Sequence, residues 1–321
     1  MSMNELPRRT LGDSGIEVPV VGVGCNNFGG RTDEANSRRV ILAALDLGVG
    51  FFDTADIYSR GRSEEILGRA LGSRRGEAVV ATKFGGSMGS AERGGGSRRW
   101  IARAVEDSLR RLRTDRIDLY QHHFFDAGTP LEETLAALDE LVQAGKVRAI
   151  GCSNYDGVQI EEAHIIASGH GWARYVTAQN EYSLLKRHEV EESVMPVCRR
   201  LGMGILPYFP LASGLLSGKY HRGEPPPPGT RLGRDPNRAD DLMTGAHFDV
   251  VEALEIFARE RGVELIDVAI GALAAQPQVV SVIAGATSPE QVATNARAGR
   301  WTPSDDDLAE IERITSRRAL A

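Results

Sequence analysis

The chain has 321 residues and mixed charge, with 38 Lys and Arg against 44 Asp and Glu and a net charge of −6. This balance disfavours a nucleic-acid surface or a polybasic membrane patch. Its three cysteines, Cys25, Cys152 and Cys198, are far apart and odd in number, which indicates a reducing compartment without a disulfide framework. No stretch has the apolar length of a signal peptide or a membrane span, so we predict a cytoplasmic protein.

Strands and helices alternate along the chain. Residues 10–20 predict a small β-hairpin around a Gly-Asp-Ser-Gly turn. Eight apolar runs follow and predict strands at 20–25, 51–55, 78–84, 117–123, 147–154, 175–182, 204–210 and 279–286. Between and after them, helical patterns begin at Asp33 and cover 63–71, 97–113, 130–144, a stretch ending near 169, 190–201, 289–298 and 304–315.

The fold class follows from the number and composition of these units. Runs rich in Val and Ile without polar alternation suit parallel strands that are covered on both faces. Eight strand-helix units favour a closed (β/α)8 TIM barrel, one domain over residues 1–321, over an open doubly wound sheet. Residues 211–247 contain four consecutive prolines, Pro225 to Pro228, and we expect this long irregular segment to cover the barrel mouth.

Three successive strands end in titratable groups, which are Asp53, Lys83 and His123. In barrel enzymes the chemistry lies at this end of the strands and in the loops that follow. A buried carboxylate needs a cation, so Asp53 predicts a contact with Lys83. His122 and His123 cannot both point inward, because neighbouring side chains on a strand face opposite ways.

Tyr58, in the loop after the first of these three strands, completes a set that suits proton delivery. A lysine ammonium lowers the pKa of a nearby phenol from its usual ~10, a carboxylate holds the lysine charged, and a histidine can orient a carbonyl oxygen. These groups would serve a carbonyl that accepts hydride. Because no side chain carries hydride, the set requires a cofactor.

Two phosphate-binding motifs are incomplete, and metal spacing is missing. Gly22 and Gly24 lack the third glycine of a dinucleotide fingerprint, and residues 214–220 are one residue short of a P-loop. The adjacent pair of histidines lacks the spacing that places zinc ligands on one side, so we predict no metal.

Seven segments together resemble the aldo-keto reductase superfamily, in the branch that is also similar to potassium-channel β subunits. They are GFFDTADIY, ATKFG, SLRRLRTDRIDLYQHH, EETLAALDELVQAGKVRAIGCSN, AQNEYSLL, PLASGLLSGKY and VIAGATSPEQVATN. The resemblance as a whole covers nearly the entire chain, from Thr10 to about Ile314. The resemblance implies a barrel that reduces aldehydes or ketones with NADP(H). It implies a catalytic tetrad of Asp53, Tyr58, Lys83 and His123, with Tyr58 as the general acid.

The resemblance also implies a cofactor surface. Ser153, Asn154 and Gln179 match residues that bind the nicotinamide carboxamide, and Tyr208 matches the residue that stacks on the ring. The residues that match the pyrophosphate segment are Leu211, Ser213, Gly214, Leu215 and Lys219. Those that match the adenosine end are Gly285, Thr287, Gln291 and Asn295, and we assign Gly24 to the same surface.

Departures from the family pattern leave the cofactor form and the substrate open. Gln291 stands where many relatives have an arginine that binds the 2′-phosphate, so NAD(H) is an alternative cofactor to NADP(H). Our hypothesis is that Arg231 supplies the missing positive charge. Asn26, Phe124 and Phe125 differ from common pocket residues.

Two rival functions also remain. One is a nicotinamide-binding sensor or regulatory subunit with slow catalysis, and the other is an isomerase or aldolase that uses Lys83 as a Schiff base. We expect a small carbonyl compound as the only ligand besides the cofactor, no nucleic-acid or membrane partner, and by default a monomer.

Overall fold

An N-terminal hairpin closes one end of the barrel. The computed structural model describes residues 6–87 and 94–316. Strand β1 (Arg8–Thr10) pairs antiparallel with β2 (Glu17–Pro19), which confirms the predicted hairpin. Leu11, at its turn, is fully buried among the side chains that fill the barrel interior.

Eight parallel strands form the barrel, as predicted. They are β3 (Val21–Gly24), β4 (Phe51–Asp53), β5 (Val79–Phe84), β6 (Ile117–His122), β7 (Val147–Ser153), β8 (Tyr175–Gln179), β9 (Gly204–Ile205) and β10 (Val282–Gly285). Their spatial order is β10-β3-β4-β5-β6-β7-β8-β9. Parallel bridges from Ile205 to Val279 and from Tyr208 to Ile283 join the two ends of this sheet. Apolar side chains fill both the interior and the layer between strands and helices.

Helices cover the outside of the strands. They are α1 (Glu34–Asp46), α2 (Arg62–Leu71), α3 (Arg98–Leu112), α4 (Leu131–Gln143), α5 (Gly157–His170), α6 (Met195–Leu201), α7 (Pro236–Leu242), α8 (Gly245–Glu260), α9 (Leu265–Ala275), α10 (Pro289–Ala298) and α11 (Asp305–Ile314). A π-helical turn, Val190–Val194, precedes α6. Ser97 caps α3 as expected, whereas Pro130 occupies the N-cap of α4 instead of its first helical position.

The segment 211–247 differs from the irregular loop that the sequence indicated. It contains 3-10 turns at Ala212–Ser217 and Leu232–Arg234, then α7 and the start of α8. Leu215, Leu216 and Leu232 are completely buried, so apolar burial orders a segment that the sequence predicted to be irregular. Helices α8 and α9 were not predicted. Most side chains of α9 are buried, so its sequence lacks the polar face that marks a helix.

Among the described residues, no helix combines the length and apolar character needed to cross a membrane. In the same part of the chain, no group of three or more His, Cys, Asp or Glu side chains is arranged to hold a metal ion.

Candidate active site

A cavity of about 600 Å³ opens at the carboxyl ends of the barrel strands. Its wall brings together 19 of the residues predicted from the sequence. They are Gly24, Asn26, Asp53, Tyr58, His123, Phe124, Ser153, Asn154, Gln179, Tyr208, Leu211, Ser213, Gly214, Lys219, Arg231, Gly285, Thr287, Gln291 and Asn295. A volume of this size is within the range of pockets that bind small molecules and cofactors.

At the base of the cavity, Lys83 and Asp53 form a buried ion pair. Lys83 Nζ lies 2.6 Å from Asp53 Oδ2 and donates a second hydrogen bond of 2.9 Å to the carbonyl oxygen of Thr54. Asp53 Oδ1 accepts hydrogen bonds from Gln121 and Gln179. Burial by itself would lower the pKa of Lys83, but Asp53 and Tyr58 outweigh it and raise that pKa above its usual value. Lys83 is therefore a fixed positive charge.

Tyr58 lies over this charge. Lys83 Nζ is 5.2 Å from the centre of the Tyr58 ring, and the His123 ring approaches the same phenol edge-on at 5.9 Å. Burial of the phenol raises the pKa of Tyr58, and the charge and the hydrogen bond of Lys83 lower it. Burial has the larger effect, so the net pKa of Tyr58 is raised above 10, and the lowered pKa expected from the sequence is wrong. The side chain is thus a protonated phenol beside a cation, which is the form that a proton donor needs.

His122 and His123 face opposite sides of the barrel wall, as strand geometry predicts. The ring of His123 lines the cavity and stacks on Phe124 with centres 4.4 Å apart. His122 points toward the helices, where its Nδ1 lies 2.7 Å from the Tyr155 hydroxyl. Burial, together with the charge of Lys83, lowers the pKa of His123 to about 2. His123 is accordingly neutral and can donate one N–H without adding charge.

Polar side chains next to the tetrad are hydrogen-bonded to one another. Asn154 Nδ2 donates to the His123 carbonyl oxygen at 2.9 Å, and the Tyr208 hydroxyl donates to Asn154 Oδ1 at 2.7 Å. Ser153 Oγ donates to the Gln179 carbonyl oxygen, while Gln179 Nε2 donates to Asp53 at 2.9 Å. Asn154 and Gln179, two of the three residues expected to bind the nicotinamide carboxamide, are therefore held in place by hydrogen bonds to His123 and Asp53 of the tetrad, and Ser153 is held by Gln179.

Positive side chains lie elsewhere on the cavity wall. Arg231 Nη2 is 3.2 Å from both Asn26 Oδ1 and Asn27 Oδ1, so this arginine contacts the loop after β3. Arg31 and Lys219 belong to the same group. Burial is the main cause that lowers the pKa of Lys219 and of Arg231, and the positive charge of Arg31 lowers both pKa values further. Within the described part of the chain, none of these three cations is paired with a carboxylate. Cations without a carboxylate partner can bind an anion, and of these three Arg31 and Arg231 are half-buried while Lys219 is exposed.

The N-terminus of α10 borders the cavity at the residues assigned to adenosine. Ser288 caps the helix by accepting a hydrogen bond from the backbone of Gln291. Gln291 Oε1 accepts from the Thr287 backbone at 2.8 Å and from the Thr287 hydroxyl at 3.1 Å. These contacts orient the Gln291 amide and give this part of the wall neutral hydrogen-bonding groups.

Three predicted residues do not line the cavity. Lys83 lies behind it, completely buried against Asp53. Leu215 is in the apolar core, because the turn that carries Ser213 and Gly214 to the cavity directs Leu215 away. Phe125 packs edge-on against Tyr155, with ring centres 5.3 Å apart.

Sequence reasoning missed several wall residues, including Asn27, Arg31, Ile57 and Phe209. Asn27 and Arg31 lie in the glycine-rich loop after β3, and Phe209 directly follows Tyr208. Their signal was their position after a barrel strand, which is the same rule that identified Asp53.

Comparison with known proteins identifies the family of this chain. The Aldo/keto reductase family matches residues 20–316, and the chain belongs to that family. It is 35% identical over 317 residues to aldo-keto reductase YhdN of Bacillus subtilis, covering 95% of this chain and 92% of that protein. Because it belongs to this family, the chain is in general class an oxidoreductase of carbonyl compounds.

Two further relatives differ in what their names describe. L-glyceraldehyde 3-phosphate reductase of Escherichia coli O157:H7 is 31% identical over 322 residues, which is 96% of this chain and 92% of the relative. A probable voltage-gated potassium channel subunit beta of Oryza sativa subsp. japonica is 37% identical over 296 residues, which is 90% of each chain. Relatives of this chain are therefore named both as enzymes and as channel subunits.

Proposed function

We propose that this protein reduces an aldehyde or ketone to an alcohol with NADP(H). The observation that carries the proposal is the buried contact between Lys83 and Asp53 beside Tyr58 at the base of the cavity. It supports a phenol that stays protonated until a neighbouring oxygen develops negative charge.

The wall residues fit a nicotinamide dinucleotide. Ser153, Asn154 and Gln179 would hold the carboxamide, and Tyr208 would lie against the ring. Arg31, Lys219 and Arg231 would bind the phosphates, because these cations lie on the cavity wall and no carboxylate of the described residues pairs with them. NADP(H) carries a 2′-phosphate in addition to the pyrophosphate that NAD(H) also has. It therefore suits three cations better than NAD(H), despite the neutral Gln291. When bound, the nicotinamide would supply the hydride.

The chain's own residues would then handle the proton. In our proposal the neutral His123 and the Tyr58 hydroxyl donate hydrogen bonds to the substrate carbonyl oxygen and polarise it. As negative charge develops on that oxygen, Tyr58 gives up its proton to form the alcohol. Lys83 stabilises the phenolate that remains, and Asp53 keeps Lys83 charged and in place. The same groups, used in reverse, support oxidation of the alcohol.

A titration of the purified protein tests the proposal. Nucleotide fluorescence would be measured with NADPH and NADH, followed by their oxidation with a panel of aldehydes and ketones. We expect tighter binding of NADPH and turnover that Tyr58→Phe reduces at least about 100-fold while binding is retained. Full turnover by Tyr58→Phe would exclude Tyr58 as the acid, and the absence of binding of either nucleotide would refute the proposal.

A second candidate function is a nicotinamide-binding regulatory subunit with slow catalysis. The observation that favours it is the 37% identity to a probable channel subunit beta. Tight nucleotide binding, negligible turnover on the whole panel and a stable protein partner recovered by pull-down would support it over the reductase.

A further inference from the structure

A cluster of buried polar side chains lies on the outer side of the barrel wall, between the strands and helices α2 and α3. Its members are Asp56, Glu64, Thr82, Arg111 and Tyr120. Thr82 donates to Glu64 Oε1 at 2.6 Å, and Arg111 Nε donates to Glu64 Oε2 at 2.6 Å. Asp56 Oδ1 and the Tyr120 hydroxyl, in contrast, are buried and have no hydrogen-bond partner among the residues that the structure describes.

The cluster has two carboxyl groups but only one arginine. Glu64 accepts hydrogen bonds from both Arg111 and Thr82, while no side chain of the described residues donates one to the carboxyl group of Asp56. The backbone N–H of Ile57 is the hydrogen-bond donor that lowers the pKa of Asp56. Asp56 is 2 % exposed, so water does not solvate a charge there. Burial and the negative charge of Glu64 raise the pKa of Asp56 to about 7, against the opposing charges of Arg111 and Lys83.

Asp56 is also part of the loop that presents Tyr58. Its backbone N–H donates to the carbonyl oxygen of Lys83 at 3.1 Å, which ties the start of the loop to β5. After Tyr58, the backbone of Ser59, Arg60 and Gly61 is left-handed, with φ of 50°, 56° and 84°. Side chains disfavour this conformation, so the surroundings must hold the loop.

The far end of this loop rests on the same cluster. A Cβ on Gly61 would lie 2.7 Å from Arg111 Cδ, so the arginine packs directly against the backbone there. Asp56 and Arg111 thus contact the loop on both sides of Tyr58. A change of charge within the cluster acts on the backbone that carries the phenol.

We propose that Asp56 is a positioning residue, which acts as a neutral carboxylic acid and holds the loop so that Tyr58 faces Lys83. The proposal rests on the proposed function, in which Tyr58 is the proton donor. Ionisation of Asp56 leaves two buried carboxylates to share Arg111 and adds negative charge beside Tyr120. The groups that face Asp56 are Glu64 from α2, Arg111 from α3, Tyr120 from β6 and Lys83 from β5. The resulting repulsion displaces the loop and lowers kcat.

Asp56→Asn tests this proposal because asparagine has the shape of the acid and cannot ionise. The rate of carbonyl reduction would be measured against pH for the wild type, for Asp56→Asn and for Asp115→Asn, an exposed control. We expect kcat of the wild type and the control to fall about 5-fold between pH 7 and 8, following the neutral fraction of Asp56, and kcat of Asp56→Asn to stay level. Parallel profiles in all three proteins would overturn the proposal.

A second measurement needs no substrate and therefore separates this proposal from the proposed function. The folded-state pKa of Asp56 lies above its unfolded value, so its stabilising contribution is complete below about pH 4 and is lost as pH rises through about 7. We expect Tm of the wild type to fall between pH 5 and 8 relative to Tm of Asp56→Asn. Equal slopes would show that Asp56 is ionised throughout and would refute the proposal. Without turnover on any carbonyl compound, the proposed function fails while this comparison still decides the state of Asp56.

Should Asp56→Asn fail to fold, Glu64→Gln provides the alternative. It removes the charge that competes for Arg111, so the pKa of Asp56 should fall. Infrared spectroscopy would then show the C=O stretch of a protonated carboxylic acid disappearing at lower pH in Glu64→Gln than in the wild type. An unchanged midpoint would contradict the role of the cluster.

Discussion

Lys83 Nζ and Asp53 Oδ2 lie 2.6 Å apart, and both side chains are nearly inaccessible to water. A pair buried to this extent is costly to form, and removal of one partner leaves the other charge without compensation. In our proposal this costly pair is retained because it lies beside Tyr58 and stabilises the phenolate that forms there.

We expect Asp53→Asn and Lys83→Met each to reduce turnover at least about 100-fold. Lys83→Met removes the charge that stabilises the Tyr58 phenolate, and Asp53→Asn removes the carboxylate that keeps that charge in place. Each should also lower the free energy of unfolding by about 3–5 kcal/mol. Steady-state kinetics and urea unfolding would measure the two effects. Near-full turnover in either variant would remove that residue from the mechanism.

Acid should destabilise the fold through His122. Burial lowers its folded-state pKa to about 4, so between pH 6.5 and about 4 the unfolded chain binds a proton that the folded chain does not. The contribution of His122 to the free energy of unfolding is fully present above pH 6.5, and at pH 5 we expect it to be smaller by about 2 kcal/mol.

Urea unfolding at pH 7 and 5, compared between the wild type and His122→Gln, isolates this effect, because every other group titrates in both proteins. We expect a smaller acid-induced loss in the variant. An identical loss would show that His122 is protonated in the folded state.

The unpaired cations should govern nucleotide affinity. We expect Arg31→Met and Arg231→Met each to raise the Kd for NADPH at least about 10-fold, because each removes a charge-assisted contact to phosphate. Fluorescence titration at two salt concentrations would measure this. Arg259→Met, an exposed position on α8, is the control and should change Kd less than twofold. If Arg31→Met behaves like the control, Arg31 does not bind the cofactor.

The neighbouring residues Phe124 and Phe125 should have separable roles. Phe124 is 46 % exposed and lines the cavity, so Phe124→Ala should raise KM for an aromatic aldehyde about 10-fold with little loss of stability. Phe125 packs on Tyr155, so Phe125→Ala should lower the free energy of unfolding by about 1–2 kcal/mol and leave KM unchanged. Kinetics and thermal unfolding of both variants would show whether the roles are reversed.

The sequence predicted the barrel and most of the site because both depend on where strands end. Asp53 and His123 follow apolar runs, and parallel strands bring such positions to one end of the barrel. The orientation of Leu215 depended on something else, namely the left-handed backbone of Ala212, Ser213 and Gly214, with φ of 45°, 58° and 99°. No local pattern in the sequence specifies that turn.

The protonation state of Asp56 could not be predicted from the sequence either, because it depends on which carboxylate forms the ion pair with Arg111. Glu64 lies eight residues further along and Arg111 on another helix, so the imbalance of charge exists only once α2 and α3 have packed together. A pattern of single residues identifies a buried acid but not its protonation.

The joint between Ile205 and Val279, and the pairing of Val21 with Val282, have a consequence for how the chain acquires its structure. During synthesis, β3 leaves the ribosome long before its partner β10 exists. Until the last barrel strand emerges, the growing sheet has two open edges with unpaired backbone groups, which favour association with other chains. Contacts so distant in sequence also slow folding. A chain that stops before residue 282 should therefore accumulate as aggregates and depend on chaperones, although it contains every residue of the tetrad.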